Sequence, residues 1–329
     1  MTHPSGRCRA FTALSLALAA APAGAQVRIE VLPFEAVTLT TQQILLGDTR
    51  GKAVTLAGEL RLPRGGTDKV PAVILLHGLG GIAVNVDEWA HAVNAWGYAA
   101  FVVDSFSGRG VAGMSPEAIQ LGGLTRMVDA YRALALLARH PRIDPDRVAV
   151  MGFSQGTPAA IFSSSERFYR THGPPGVQFA AHVALYASCT ARYRDDTKVA
   201  ARPIRLFHGT ADDWTPVEAC RSLVADMRRA GADVALTEFA GATHAYDFSF
   251  AKERVTFPQA PTLRKCSLVE GAGGQMMNAT TGQPFSPKDP CVERGTSIQY
   301  DEAATRGTRE GVRATLASAF AAKRAAGRP

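Results

Sequence analysis

The 329-residue chain is poor in several features that would assign its class at once. Five cysteines are too few for a disulfide-built scaffold, and a chain of this length can bury a sizeable core without metal or disulfide support. No C-x-x-C and no H-x-x-x-H pair occurs, so no zinc-type ligand set is present and no metal is expected. No run of five Lys or Arg exists and the formal charge of +7 is mild, which argues against nucleic-acid binding and against a polybasic membrane patch. The glycine-rich stretch at 78–81 has no G-K-[ST] continuation, so an NTP-binding loop is not expected there. What remains is 46% hydrophobic and 20% charged, an ordinary globular composition that is neither disordered nor collagen-like.

Only the N-terminus carries a membrane-like run. Arg7 and Arg9 precede an apolar stretch from Phe11 to Ala21, and Ala23-Gly24-Ala25 forms an A-x-A site. The run is short for a bilayer and reads as a secretory signal with cleavage before Gln26. The expected organisation is therefore a signal peptide at 1–25 and a single domain at 26–329, secreted or periplasmic and without stable membrane insertion. Losing the two arginines takes the charge from +7 to +5. Cys8 leaves with the signal, and Cys189, Cys220, Cys266 and Cys291 remain, an even number suited to an oxidising compartment. Four cysteines allow three connectivities, of which proximity along the chain favours Cys189–Cys220 and Cys266–Cys291.

Residues 52–63 alternate polar and apolar, as an antiparallel strand does. From Pro71 to Leu76 the pattern becomes a continuous apolar run, the reading of a parallel strand covered on both faces. Similar runs recur at Tyr98–Val103, Arg147–Met151, His182–Tyr186, Ile204–His208 and Val234–Phe239. Between them Val86–Ala95, Leu124–Ala138 and Pro216–Gly231 read as helices, and Val312, Leu316 and Phe320 mark a final amphipathic one. On the second of these helices Arg126, Asp129, Arg132 and Arg139 fall away from the apolar stripe. This alternation predicts an α/β fold with a doubly wound, mostly parallel sheet and helices on both faces. Residues 246–303 have many Gly, Pro and Asn and little periodicity, and are expected to leave the sheet as a long excursion that shapes the substrate site.

Gly152-Phe153-Ser154-Gln155-Gly156 is a G-x-S-x-G between an apolar run and a helix-compatible stretch. In that setting the serine occupies a strained strand-to-helix elbow, and Ser154 is the candidate nucleophile. A serine hydroxyl needs a base to take its proton. The fold places an acid and then a histidine after the serine, and His244 alone among the histidines follows the polar turn at 209–216. That turn holds two adjacent carboxylates; Asp212 is taken as the triad acid, with Asp213 as the fallback. The backbone amides of Leu79, in His77-Gly78-Leu79-Gly80-Gly81, and of Gln155 are candidate oxyanion donors. Trp214, Phe106, Met114 and Tyr246 are candidates to line an apolar cleft, and Arg109 either holds a substrate carboxylate or fixes its own loop.

Together VPAVILLHGLGG (70–81), DSFSGRG (104–110), HPRIDPDRVAVMGFSQG (140–156), HGTADDWTP (208–216) and ATHAYDF (242–248) resemble the dienelactone hydrolase family. The resemblance implies an α/β-hydrolase fold, a nucleophile at 154, an acid at 212, a base at 244 and no metal or organic cofactor. Two departures matter. The founding members carry cysteine where Ser154 stands here, and a Glu in the loop that here reads HGLGG. The resulting expectation is a serine hydrolase that cleaves a small-molecule carboxylic ester through an acyl-enzyme. The alternatives are an amide or peptide hydrolase of the same fold and a non-catalytic binding protein on a hydrolase scaffold.

Overall fold

A computed structural model describes residues 28–63 and 67–326. The expected signal segment at 1–25 lies outside the described residues. The chain opens with β1 (Arg28–Thr38) and β2 (Lys52–Leu62), an antiparallel pair in unbroken register from Arg28↔Leu62 to Thr38↔Lys52. Between them α1 (Thr41–Leu46) starts in a capping box, Thr40 and Gln43 each bonding the other's backbone. Then β3 (Val70–Leu76), α2 (Val84–Ala95), β4 (Ala99–Asp104), α3 (Pro116–Gln120), α4 (Gly122–Leu137), β5 (Ile143–Phe153), α5 (Thr157–Phe162) and α6 (Glu166–His172) follow. The second half holds β6 (His182–Leu185), the two-residue β7 (Ala191–Arg192), β8 (Ile204–Gly209), α7 (Val217–Arg229) and β9 (Val234–Phe239).

Eight strands form one sheet in the order β1-β2-β4-β3-β5-β6-β8-β9. β2 is antiparallel to both neighbours, and β4 through β9 run parallel. This is the doubly wound α/β sheet expected from the continuous apolar runs. Successive side chains of a strand point to opposite faces, so each run feeds two cores. Ile74, Leu76, Phe101 and Val150 pack with Leu124, Met127 and Leu134 of α4 and with Leu223 and Met227 of α7. Val73, Leu75, Val102 and Met151 pack with Trp89 and Val93 of α2 on the other face. Val312, Leu316 and Phe320 of the closing helix α8 (Glu302–Ala326) join that second core.

Residues 246–303 differ from the expectation of an aperiodic excursion. They contain β10 (Val255–Thr262), β11 (Leu268–Glu270), β12 (Met276–Asn278) and β13 (Glu293–Ile298). β10 pairs antiparallel with β13, with a register shift between Phe257 and Pro261, while β11 pairs with β12 and with β7. None of the four joins the main sheet. They are short, interrupted by Pro258 and Pro261 and largely one-sided in burial, so they carry no run that reads as a buried strand. Arg167 of α6 and Arg194 both bond Glu270 and tie β11 to the body of the domain.

Cys189 is bonded to Cys220 and Cys266 to Cys291. The second pair closes a loop of 25 residues within the excursion. Replacing Cys266 and Cys291 by Ser should lower the unfolding free energy by about 3.5 kcal/mol on the chain-entropy account. A fall in the urea midpoint reads this directly; an unchanged midpoint would show that the staple contributes nothing.

Candidate active site

β5 ends at Phe153, and the chain turns through a single 3₁₀ turn, Ser154–Gly156, into α5. The turn is tight. A Cβ on Gly152 would lie 2.4 Å from the Gly156 carbonyl oxygen, and one on Gly156 would lie 2.3 Å from that of Leu76. Ser154 itself has φ 49°, a left-handed conformation that costs a side-chain-bearing residue energy. The Thr157 hydroxyl donates to the Ser154 carbonyl and accepts from Ser188 N.

Three elements deliver polar side chains to this elbow. His244, in the loop after β9, places Nε2 2.9 Å from Ser154 Oγ. Its Nδ1 lies 2.8 Å from Asp212 Oδ2. With the proton on Nδ1 donated to the carboxylate, Nε2 is left to accept from the serine hydroxyl. Asp212, in the turn after β8, is buried and also accepts from Trp214 N, Thr215 N and the Thr215 hydroxyl. Burial alone would raise its carboxyl; the neighbouring His244 imidazole, its hydrogen bond, His208 and the Thr215 amide outweigh burial and hold it below the ordinary carboxylate value. Asp213 turns the other way. Its oxygens accept from Ser297 N (2.9 Å) and Ser297 Oγ (2.7 Å) of β13, so it anchors the excursion and makes no bond to the imidazole.

A cavity of about 220 Å³ opens over Ser154 and His244. Leu79, Met114, Trp214, Phe248, Phe257 and Ile298 supply most of its apolar wall, the last three from the 246–303 segment. Four of the five described non-glycine residues with positive φ are Met114, Ser154, Tyr186 and Ala245, and all four line it. Backbone strain is thus concentrated at this one place.

Other expected residues lie elsewhere. Arg109 does not line the cavity: its guanidinium is buried in a two-pronged pair with Asp129, both contacts at 2.8 Å, and it also bonds the Ser105 carbonyl. Of its two readings, the loop-fixing one agrees with this geometry. Tyr246 is fully buried among Tyr186 and Phe239, with its hydroxyl 2.7 Å from Thr308 Oγ1, and is a core residue. Phe106 packs against the His77 ring and with Ala118 and Leu121, outside the cavity. Arg126 and Asp129 are buried instead of lying on a solvated face of α4. Asp129 is taken by Arg109, and Arg126 donates to the His77 carbonyl and to Gln155 Oε1, both at 2.9 Å. Burial pushes the Arg126 guanidinium down to about 9, yet it remains a cation at neutral pH. It ties the glycine loop that carries Leu79 to the elbow that carries Gln155.

Sequence reasoning missed Tyr186, Asn85 and Thr215. The Tyr186 ring packs edge-on against His244, with centroids 5.0 Å apart, and its hydroxyl accepts from Asn85 Nδ2 at 2.9 Å. Thr215 Oγ1 lies 3.2 Å from both His244 Nδ1 and the Tyr186 carbonyl. No motif marks these residues. The available signal was positional: each stands at the carboxyl edge of the sheet or just beyond it, where open α/β sheets bind ligands.

A sequence model described as the dienelactone hydrolase family matches residues 56–260. None of the curated proteins matches the chain in sequence. Among solved structures it is similar to a dienelactone hydrolase candidate from Klebsiella pneumoniae subsp. pneumoniae MGH 78578, at 14% identity over 88% of this chain and 99% of that one, TM-score 0.56. It is also similar to a dienelactone hydrolase-like promiscuous phosphotriesterase from metagenomic libraries, at 16% identity over 90% and 100%, TM-score 0.58.

Two buried histidines set an acid limit on the fold. His77 Nδ1 donates to the Gly78 carbonyl at 2.8 Å, and His182 Nδ1 is 2.9 Å from the Ala160 carbonyl. Burial pushes both imidazoles down to about 4. Their folded values lie below the unfolded one, so between about pH 6.5 and 4 the unfolded chain binds more protons, and stability falls as pH falls through that window. The expected slope is on the order of 1 kcal/mol per pH unit for each histidine. Urea midpoints at pH 7, 5.5 and 4.5 test this, and His182→Asn should flatten the slope. A midpoint constant over that range would contradict it.

Proposed function

The chain belongs to the dienelactone hydrolase family and is a carboxylic ester hydrolase, and from that premise we propose that its acyl-enzyme forms on Ser154. The observation that carries this is the unbroken line from Ser154 Oγ through His244 to Asp212, with contacts of 2.9 and 2.8 Å. In this reading His244 takes the hydroxyl proton as Ser154 attacks the ester carbonyl, and Asp212 holds the imidazole and stabilises its cation. The amides of Leu79 and Gln155 receive the oxyanion. His244 then protonates the leaving alcohol and activates the water that releases the acid.

The substrate we infer is an uncharged ester with an apolar acyl group. The cavity wall is dominated by apolar side chains, and among the described residues lining it none is a Lys or Arg. The two buried cations nearby, Arg109 and Arg126, are already committed to Asp129 and to backbone and amide acceptors. A substrate carboxylate would find no partner there and would lose its hydration uncompensated. The signal-like segment at 1–25 and the two disulfides together support a secreted or periplasmic location. No helix among the described residues is long and apolar enough to cross a membrane.

Ser154→Ala should lose covalent labelling by a fluorophosphonate and about 10⁴-fold or more of kcat/KM on a nitrophenyl ester, with unchanged near-UV dichroism. Labelling that persists in this variant would remove the nucleophile assignment. Asp212→Asn should cost about 10⁴-fold in kcat. Asp213→Asn should cost less than about tenfold, because an amide still accepts from Ser297 N, at the net worth of one hydrogen bond. The opposite ranking would make Asp213 the acid.

A further inference from the structure

We propose that the acyl site continues out of the cavity onto an exposed apolar rim, and that this rim holds the distal part of an alkyl acyl chain. This rests on the ester-hydrolase reading above and names its substrate class. Nine large apolar residues among those described are exposed, and three of them belong to or adjoin the cavity wall: Met114, Phe250 and Val255. Met114 is itself part of the cavity wall. Phe250, 64% exposed, packs its ring 5.3 Å from that of Phe248, a wall residue. Val255 opens β10 directly across from Ile298, another wall residue.

Each of these side chains leaves a substantial apolar area in solvent beside the wall. Their continuity with the wall is what selects the occupant. A cavity of about 220 Å³ is smaller than the sites that enclose drug-sized ligands, so a long-chain ester cannot be enclosed whole and has to extend to the mouth. What it meets there is Phe250 beside Phe248 and Val255 across from Ile298, an apolar surface of the kind that marks a binding site. The acyl chain thus has the enclosed part of the site for its carbonyl end and the rim for its tail.

The test is kcat/KM for nitrophenyl acetate, butyrate, hexanoate and octanoate, each below its micellar concentration, on the full chain. Each methylene fully removed from water is worth about fourfold. The wild type should therefore rise steadily from acetate to octanoate. Phe250→Ser, and separately Val255→Ser, should each lower the octanoate-to-acetate ratio about tenfold. These residues are outside the core, and unchanged near-UV dichroism confirms the fold. A ratio that stays the same in both variants overturns the proposal while leaving the ester-hydrolase reading intact. So does an effect confined to a series of alkyl acetates, which would place the alcohol on the rim. So does a dimer lost on Phe250→Ser with no change of ratio, which would give the patch to a second copy. Absence of Ser154-dependent turnover at every chain length overturns the underlying reading and the proposal with it.

Discussion

A buried carboxylate is tolerated only when its oxygens are fully bonded, and Asp212 imposes that requirement on the whole carboxyl edge of the sheet. Its two oxygens accept from Trp214 N, Thr215 N, Thr215 Oγ1 and His244 Nδ1. The first three fix the turn after β8, and the fourth fixes the loop after β9. The two loops are stitched independently by Ala211 N to the Ala242 carbonyl and Thr210 N to that of Phe239. The imidazole therefore has one available orientation, and its second nitrogen faces Ser154 because the elbow brings the serine there.

The excursion is the other support of the same turn. Ser297 bonds Asp213, Arg264 bonds the Asp213 carbonyl, Thr262 bonds the Trp214 carbonyl, and Trp214 Nε1 returns a bond to the Pro261 carbonyl. Adjacent carboxylates thus divide the work: Asp212 meets the His244 imidazole and Asp213 holds the segment that walls the cavity. Thr243, the residue before His244, exchanges bonds with Gln299. The Cys189–Cys220 bridge adds a covalent tie between the loop after β6, which carries Tyr186, and the helix that leaves the acid turn. Hydrogen bonds thus connect residues 261–299 to the turn that carries Asp212 and to the loop that carries His244.

How much of this was legible in the sequence depended on the range of the cause. The parallel strands showed as apolar runs because both their faces are buried, and α2, α4, α7 and α8 showed their periodicity because each covers one face. Ser154, Asp212 and His244 could be named because chain order and the elbow motif are local signals, and the structure brings these three side chains together. The burial of Arg126 and Tyr246 was not readable, and Arg109 left two readings open. An Arg on a helix looks solvated until its partner, for Arg126 a carbonyl 49 residues away in His77, is known. Tyr246 follows the base closely and looked like cavity wall, yet it turns inward because Ala245 takes a left-handed φ of 48°. The strands of the excursion were hidden for the opposite reason: they pair with one another and with β7, and their prolines and exposed faces erase the pattern that a buried sheet writes.

Strain and rigidity at the site are linked. Residues in left-handed conformations cost on the order of 1–3 kcal/mol each and persist only where their surroundings over-determine them. Tyr186 is held by its amide to the Phe207 carbonyl and by Asn85 on its hydroxyl. Ser154 is held by Thr157 and by the close crossing of Gly152 and Gly156. Met114 donates its amide to the Leu79 carbonyl, which joins the strained wall to the glycine loop. These bonds fix the backbone of the wall. In the proposed reading, adaptation to substrates of different length falls to exposed residues beyond it, such as Phe250, which stands 64% exposed beside Phe248.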